Sequence, residues 1–360
     1  MKVQALLAAM AATLTIPPGP AHAQQPAPSA QDAHLLVATR GAVLLHRAGW
    51  AMNAPTGPGA ALRRGDLVSV PVGGLATVAC SDLTLRELPP GRFSGLPCAV
   101  PDKTALLFEG GLIAATRGDD SDELPVVVAP RRTRLLSPRP TLRWSVPNGA
   151  GGVTVTIKGP GVSWSASPPA GSTSLTYPAD APALQPGGSY RVSVAAAGRS
   201  SDEAADPGMG FTLLAEPAAA DVRAGLDRIN ALKLAPDATR LLTAHFLATK
   251  GLPAEAIEQL SAAAPTPRLL LTLGALQQSV GLPRLAEAQW LQAAKAAASA
   301  NDIEAQAQAQ AALAGLYLDV FGLRNDAARA FGEAAALYAK LGDSASAAQA
   351  HDKAGHAKAP

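Results

Sequence analysis

The amino-acid texture of the chain changes abruptly near Pro217, and this change constrains the fold more than any other feature. Before it, short apolar runs alternate with Gly- and Pro-containing turns, and Val153, Val155 and Ile157 alternate strictly with polar neighbours. After it, Gly and Pro become rarer, and Ala, Leu, Gln and Glu follow helical spacing. Period-two alternation is typical of strands, and the longer period is typical of amphipathic helices. We therefore expect a multidomain chain with two all-β domains followed by an all-α helical-repeat domain.

Turn-rich and charged segments predict the domain boundaries. The chain has 360 residues, of which 48% are hydrophobic, so several domains can each bury a core. The expected division is a signal peptide over 1–23, a disordered tail over 24–33, a β domain over 34–117, an acidic linker over 118–125, a β-sandwich over 126–216 and helical repeats over 217–360.

The N-terminus predicts export. Met1-Lys2 gives a positive start, Val3 to Leu14 is apolar, and Ala21-His22-Ala23 places small residues where a signal peptidase reads them. Cleavage after Ala23 would leave Gln24 as the new terminus. The apolar run is too short for a permanent membrane anchor, and no later stretch is long and apolar enough to cross a bilayer. We expect a periplasmic or secreted protein with no transmembrane segment in the mature chain.

The two cysteines fit an exported protein. Cys80 and Cys98 lie 18 positions apart within one small β domain. In an oxidising compartment such a pair most often forms a disulfide. A metal site or a catalytic thiol is the alternative, although a metal would need further ligands and no His is close in sequence.

The charge pattern argues against a nucleic-acid partner. The formal net charge is +2, and no basic run is interleaved with aromatic residues. Five arginines do cluster along one extended segment. They form either a solvated strand face or a patch for an anionic glycan or lipid headgroup, and they are Arg131, Arg132, Arg134, Arg139 and Arg143.

No catalytic constellation emerges from the sequence, and we expect neither an enzyme nor a cofactor. The nucleophile elbow, the P-loop and the paired-His zinc motif do not occur. His351 and His356 lack a third fixed ligand, so no metal is expected there. The acidic cluster of Asp119, Asp120, Asp122 and Glu123 is either a solvated linker or a calcium site. Arg64-Gly65-Asp66 matches an adhesin tripeptide, but its Gly-Asp pair also suits a turn before a strand.

The segment from about His34 to Ala115 resembles the FecR-type β domain. The resemblance rests on VATRGAVLLHR, on RRGD with LVSVPVGGLATVAC, and on LTLRELPPG. A FecR-like domain implies a ligand-sensing or regulatory role. Because no membrane helix or cytoplasmic segment precedes the domain here, such a role would need a membrane partner.

The segment from about Val126 to Leu214 resembles an Ig-like or fibronectin-type sandwich. The resemblance rests on RPTLRW, on the alternating VTVTI, and on PGGSYRVSV. It implies a spacer or a binding platform. Trp144 and Trp164 lie in its strand patterns, where burial in the core is expected more than exposure for stacking on carbohydrate.

The segment from about Pro217 to the C-terminus resembles tetratricopeptide repeats. In each of three units a small residue recurs twelve positions later, and a bulky residue follows in the same unit. The small residues should let paired helices cross closely, while the bulky ones fill the gap to the next unit. The expected packing residues are Ala244, Ala256, Gly274, Ala286, Trp290, Gly315, Ala327 and Phe331.

TPR-like repeats imply binding of a peptide or protein on a concave face. The first helix of each unit would line that face, which makes Arg240, His245, Gln277, Gln278 and Leu318 the candidate partner-binding residues. The sequence therefore predicts a non-enzymatic envelope scaffold with a protein or peptide partner. A FecR-related sensing component and a glycan-binding or adhesive surface protein are the alternatives.

Overall fold

The computed structural model describes residues 31–32, 34–99, 107–108, 123–204 and 210–358. Short strands fill the first part of this range, and eight α-helices in a repeat-like arrangement fill the described range from Glu216 onward. The predicted fold class is confirmed. The signal peptide, the linker residues 118–122 and most of the 24–33 tail lie outside the described residues.

The first β region consists of two four-stranded antiparallel sheets and one isolated strand pair. The sheet orders are β5-β2-β7-β8 and β4-β3-β6-β9, while β1 pairs with β10, so disorder is not found at 31–32. The strands are β1 Gln31–Asp32, β2 His34–Arg40, β3 Val43–His46, β4 Ala54–Thr56, β5 Ala61–Leu62, β6 Leu67–Ser69, β7 Leu75–Ala79, β8 Leu85–Glu87, β9 Phe93–Gly95 and β10 Leu107–Phe108.

The disulfide is present in this region. Cys80, directly after β7, is bonded to Cys98, and the two Cα atoms are 5.6 Å apart. The bridge closes a loop of a size that stabilises a fold by roughly 3 kcal/mol in the chain-entropy model. His34 lies beside the two sulfur atoms, but its Nδ1 accepts a hydrogen bond from the Ser81 amide. The three side chains are therefore arranged as a structural unit.

The second β region is a sandwich of a three-stranded and a six-stranded sheet. The orders are β11-β13-β16 and β12-β19-β17-β14-β15, with β18 beside β17; β12 and β19 run parallel. Residues 201–203 form a 3₁₀ turn after β18. The strands are β11 Val126–Ala129, β12 Thr133–Leu135, β13 Thr141–Ser145, β14 Val153–Gly159, β15 Val162–Ala166, β16 Ser174–Thr176, β17 Ser189–Ala196, β18 Arg199–Ser200 and β19 Gly210–Leu213.

The alternation in β14 sets the core of the sandwich. Val153, Val155 and Ile157 are buried between the sheets, and Trp144 from the facing sheet joins them. Trp164 is only partly buried, because it lies at the sandwich margin, where its ring meets Tyr177 edge-on at 5.0 Å. The expectation of core burial therefore holds for Trp144 and not fully for Trp164.

The helices follow one another as short-looped antiparallel pairs. Several begin with Pro in the first turn, where the missing amide costs no hydrogen bond. In the described residues no helix is both long and apolar enough to cross a bilayer. The helices are α1 Glu216–Ala231, α2 Pro236–Thr249, α3 Pro253–Ser261, α4 Pro267–Ser279, α5 Pro283–Ser299, α6 Ile303–Asp319, α7 Arg324–Leu341 and α8 Ser344–Lys358.

Small residues allow close helix packing at most of the expected positions. A Cβ added to Gly274 of α4 would lie 2.5 Å from Nε1 of Trp290, and that indole donates to the Leu271 carbonyl. The other buried packing residues are Ala244, Ala256, Ala286, Ala327 and Phe331.

Gly315 does not pack as expected. A Cβ added to it would meet nothing within 4 Å, and the residue is half-exposed. Its neighbour Ala314 makes the close approach instead, against Ala330 and Phe331 of α7. The predicted spacing puts Gly315 at the interface with α7. In the structure the preceding residue, Ala314, takes that position, so Gly315 faces away from the interface.

Both β regions share cores with the helices. Leu35, Val37 and Leu83 of the first region lie in one cluster with Leu241 and Leu242 of α2. On the other side, Ala254 of α3 belongs to the sandwich core. The β regions therefore hold the helices from two sides.

A network of buried charges links the first β region to the helices. Arg47, after β3, binds Asp66 with two 3.0 Å hydrogen bonds and also contacts Glu304 at the start of α6. Arg268, at the start of α4, donates to Glu304 and to both oxygens of Asp302, each at 2.9 Å. All five residues are buried or nearly so.

The charges within the network balance one another. Burial alone would raise the pKa of the Glu304 carboxyl, but the nearby charges of Arg268 and Arg47 outweigh it and hold that pKa below its usual value. Burial likewise works to lower the pKa of the Arg268 guanidinium, and Glu304 with Asp302 raises it above its usual value. Each ionised group therefore depends on its partners.

Removing one partner should destabilise the fold strongly. We expect Arg268→Met to lower the free energy of unfolding by about 3–5 kcal/mol, because Asp302 is left as a buried, uncompensated charge. Arg329→Met is the control, since Arg329 pairs with Asp326 on the surface and should change stability by less than about 1 kcal/mol. Urea unfolding measures both variants, and equal losses would contradict a special role for the network.

Gly274 and Gly315 should respond in opposite directions to substitution by alanine. Gly274→Ala should destabilise by about 1–3 kcal/mol, because the methyl group collides with Trp290. Gly315→Ala should stabilise by about 0.5–1 kcal/mol, because the space is open and Ala favours the helix. Thermal unfolding of the two variants checks this, and a destabilising Gly315→Ala would show that α6 is packed differently.

Candidate functional site

The first helices of successive pairs form one side of the helical array. α2, α4 and α6 play this part, and α4 and α6 contact each other directly. The second helices, α3 and α5, pack behind them, as Trp290 does behind Gly274. In helical-repeat arrays the first helices line the concave face, so we expect that face on the side formed by α2, α4 and α6.

The first β region covers part of this face. Strand β2 packs on α2, where every residue from Leu241 to Leu247 is buried. Ile303, which begins α6, lies in the core of the first β region, and a Cβ added to Gly59 would lie 2.9 Å from the Arg268 side chain. The face is therefore closed over α2 and over the N-terminal ends of α4 and α6.

The remainder of the face is open. Residues three, four and seven positions apart share one helix face. A subset of the half-exposed residues on α4 and α6 follows this spacing. We call this strip the open groove, and it consists of Thr272, Ala275, Ser279, Gln308, Ala311 and Gly315.

Small side chains give the open groove its chemistry. The hydroxyls of Thr272 and Ser279 bond to carbonyls of their own helix, and Gln308 donates to Glu304. No atom lies within 4 Å of a Cβ added to Gly315, so there is free space above α6 at this residue. Few polar groups must be desolvated to place a chain there, and its backbone can come close to the helices.

Two of the predicted partner-binding residues are inside the protein. His245 is 3% exposed and Gln277 is 7% exposed, so neither can contact a partner in this structure. Burial lowers the pKa of His245 to about 3, so its imidazole is neutral at physiological pH. The prediction is wrong for both, because α2 and the end of α4 are covered by the two β regions.

The other three predicted residues lie near the surface but outside the open groove. Arg240 is half-buried and donates to the Ala262 carbonyl at 2.8 Å, which ties α2 to the end of α3. Leu318 packs towards α7 and α8. Gln278 is half-exposed and adjoins Ser279 of the groove. The sequence analysis names Gly315 only as a packing residue and does not identify the other five groove residues, because their exposure depends on which part of the helices the β region leaves uncovered.

The adhesin-like tripeptide is part of a turn. The Asp66 amide bonds to the Arg63 carbonyl, and the Asp66 carboxylate accepts from the Arg63 amide and from Arg47. Asp66 is 1% exposed. A receptor cannot reach this carboxylate in the folded protein, so the turn interpretation holds. Of the acidic cluster, only Glu123 lies within the described residues.

Comparisons with known proteins give no family for this chain. No family model matches it, and no curated protein matches it. Two crystal structures of MamA are similar to it at 18% sequence identity, with 40% of this chain covered and a TM-score of 0.27 in each case. They are covered over 92% and 86% of their own lengths. A similarity at this TM-score assigns no function to the chain.

Proposed function

We propose that this chain is an exported, non-enzymatic scaffold that binds a peptide segment of a partner protein in the open groove. The observation that carries the proposal is the partial closure of the concave face. The first β region covers α2 and the N-terminal ends of α4 and α6, while the six residues of the open groove stay half-exposed.

The groove favours an extended segment with bulky apolar side chains. The open groove has small side chains and free space at Gly315, so the side chains that fill this space must come from the partner. Apolar area removed from water contributes about 25 cal/mol per Å². A few large side chains can therefore provide the binding energy, and the close backbone approach selects against branched or folded partners.

The shared cores should keep the groove rigid. The first β region holds the N-terminal ends of α4 and α6 through the charge network, and the sandwich holds the α2–α3 and α4–α5 turns. A site that does not have to be ordered on binding loses less free energy when the partner arrives. This arrangement suits a scaffold better than a free-standing repeat array would.

Export is part of the proposal. The N-terminal sequence has the features of a signal peptide. The Cys80–Cys98 bridge is of the kind that persists in oxidising compartments. Mass spectrometry of the N-terminal peptide from a periplasmic fraction of the expressing cell should give Gln24 as the first residue. A chain that retains Met1 in the cytoplasmic fraction would contradict export.

The groove is tested by substitutions that fill it. We expect the double variant Ala311→Lys and Gly315→Lys to lose a partner captured by wild-type protein from an envelope extract, because two long cations occupy the free space. The matched control is Ala288→Lys and Ala298→Lys, which adds the same charge on the exposed outer side of α5. Crosslinking followed by mass spectrometry identifies the partner and its contact residues.

Comparison of partner capture by the groove variant and by the α5 control variant shows whether the partner binds in the open groove. Capture lost with the groove variant and retained with the control supports the proposal. Equal capture by both variants places the partner elsewhere and contradicts it. Deleting whole domains cannot replace this test, because Leu35 and Ala254 show that each β region shares its core with the helices. Truncation would expose those cores.

A further inference from the structure

A second concave surface lies on the sandwich, on the side away from its core. This shallow and largely open depression, which we call the basic cleft, has a volume of about 660 Å³. Its floor is formed by the exposed face of β12, β19 and β17, and Gly251 in the α2–α3 turn forms one wall. Strand pairing determines which side chains line its floor.

The strand register places cations on both sides of the cleft. Lys158 of β14 lies opposite Arg191 of β17, and Arg134 of β12 lies opposite Thr212 of β19. Arg132 adjoins Arg134 on the same side. Strands β12 and β17 are separated by β19, so the two pairs of cations are about 10 Å apart.

The floor between the cations carries two hydroxyl groups and, at Gly210, no side chain. Ser189 and Thr212 lie opposite each other across the strands, with their hydroxyl oxygens 2.9 Å apart. At Gly210 an added Cβ would collide with the Tyr190 carbonyl oxygen, so the strands meet closely and no side chain rises there. None of the described residues that line the cleft carries a carboxylate. Asp202 does contact Arg191, from the 3₁₀ turn at its margin.

Arg132 is held in an unfavourable setting. Its backbone has φ of 45°, in the left-handed region that an arginine rarely adopts. Its side chain is half-buried, and burial lowers the pKa of its guanidinium. Its guanidinium extends towards the α4–α5 turn, where a Cβ added to Gly281 would lie 3.4 Å from Nη1 of Arg132.

We propose that the basic cleft binds an acidic glycan, a sugar chain that carries carboxylate, sulfate or phosphate groups. Its acid groups pair with Arg132 and Arg134 on one side and with Lys158 and Arg191 on the other, and its sugar hydroxyls meet Ser189 and Thr212. A single-stranded nucleic acid fits less well, because the rings of Tyr190 and Phe211 are buried and offer no stacking surface.

The test compares defined probes on the intact protein. Labelled oligogalacturonate and dextran sulfate should bind wild-type protein at low salt, with weakening as salt increases, and neutral dextran should not bind. The double variant Arg134→Gln and Lys158→Gln should weaken binding about tenfold or more, since each charge-assisted hydrogen bond lost contributes close to a factor of ten. The control Arg139→Gln and Lys295→Gln removes the same net charge from exposed sites elsewhere and should change affinity less than twofold.

A third variant separates the cleft from any loss of folding. Thr212→Glu leaves every cation in place and adds a carboxylate to the floor, so it should also abolish binding while the thermal unfolding midpoint stays close to that of the wild type. Equal weakening by the control variant would reduce the effect to net charge and overturn the proposal. Absence of glycan binding, or tighter binding of an oligothymidylate, would overturn it as well. Thr212→Glu changes neither the open groove nor the bond between Arg134 and the α2–α3 turn, so peptide capture by this variant reports on the groove independently.

Discussion

The buried charge network around Glu304 is the interaction on which the rest of the structure depends. Arg47 and Arg268 approach this carboxylate from the β region and from α4, and Asp302 and Asp66 complete their pairing. Such a network adds little stability compared with an apolar core, but removing one partner is strongly destabilising because it leaves a buried charge uncompensated. It therefore selects one arrangement of the β region on the helices. The position of the first β region, and with it the extent of the open groove, follows from that selection.

Partial coverage of the concave face changes what a helical array of this kind can bind. An uncovered array would offer α2, α4 and α6 together, and the buried surface of Leu241 to Leu247 would be its most apolar part. Here the chain's own β2 occupies that part. The open remainder is shorter and lined by small residues, which favours the proposed binding of a partner's peptide segment over the binding of a whole helical surface. In the proposed complex, specificity would come from the space left free at Gly315.

Local patterns in the sequence predict the elements well, because each pattern reflects neighbours along the same strand or helix. The alternation of Val153, Val155 and Ile157, and the contact of Gly274 with Trp290, follow directly from periodicity. Contacts between regions leave no such trace. Arg47 and Glu304 are 257 residues apart, and nothing in either local sequence indicates the other. The helical pattern predicts a partner surface at His245 and Gln277. This prediction is wrong because the strands that cover these two residues are distant in sequence and leave no sign in the helical pattern.

The arginines of the sandwich also show that local sequence does not reveal which residues meet in the folded protein, and here the difference affects the proposed function. In sequence they are one cluster, but the structure separates them. Arg131 is buried and donates to the Val280 carbonyl, Arg143 pairs with Glu258, and Arg132 and Arg134 reach the basic cleft. There they are joined by Lys158 and Arg191, from strands that no run of basic residues marks. Because a charged surface is assembled by strand order, the proposed glycan site depends on the register of β12, β19, β17 and β14. A substitution at Thr212 could therefore remove it while the arginine segment stays unchanged.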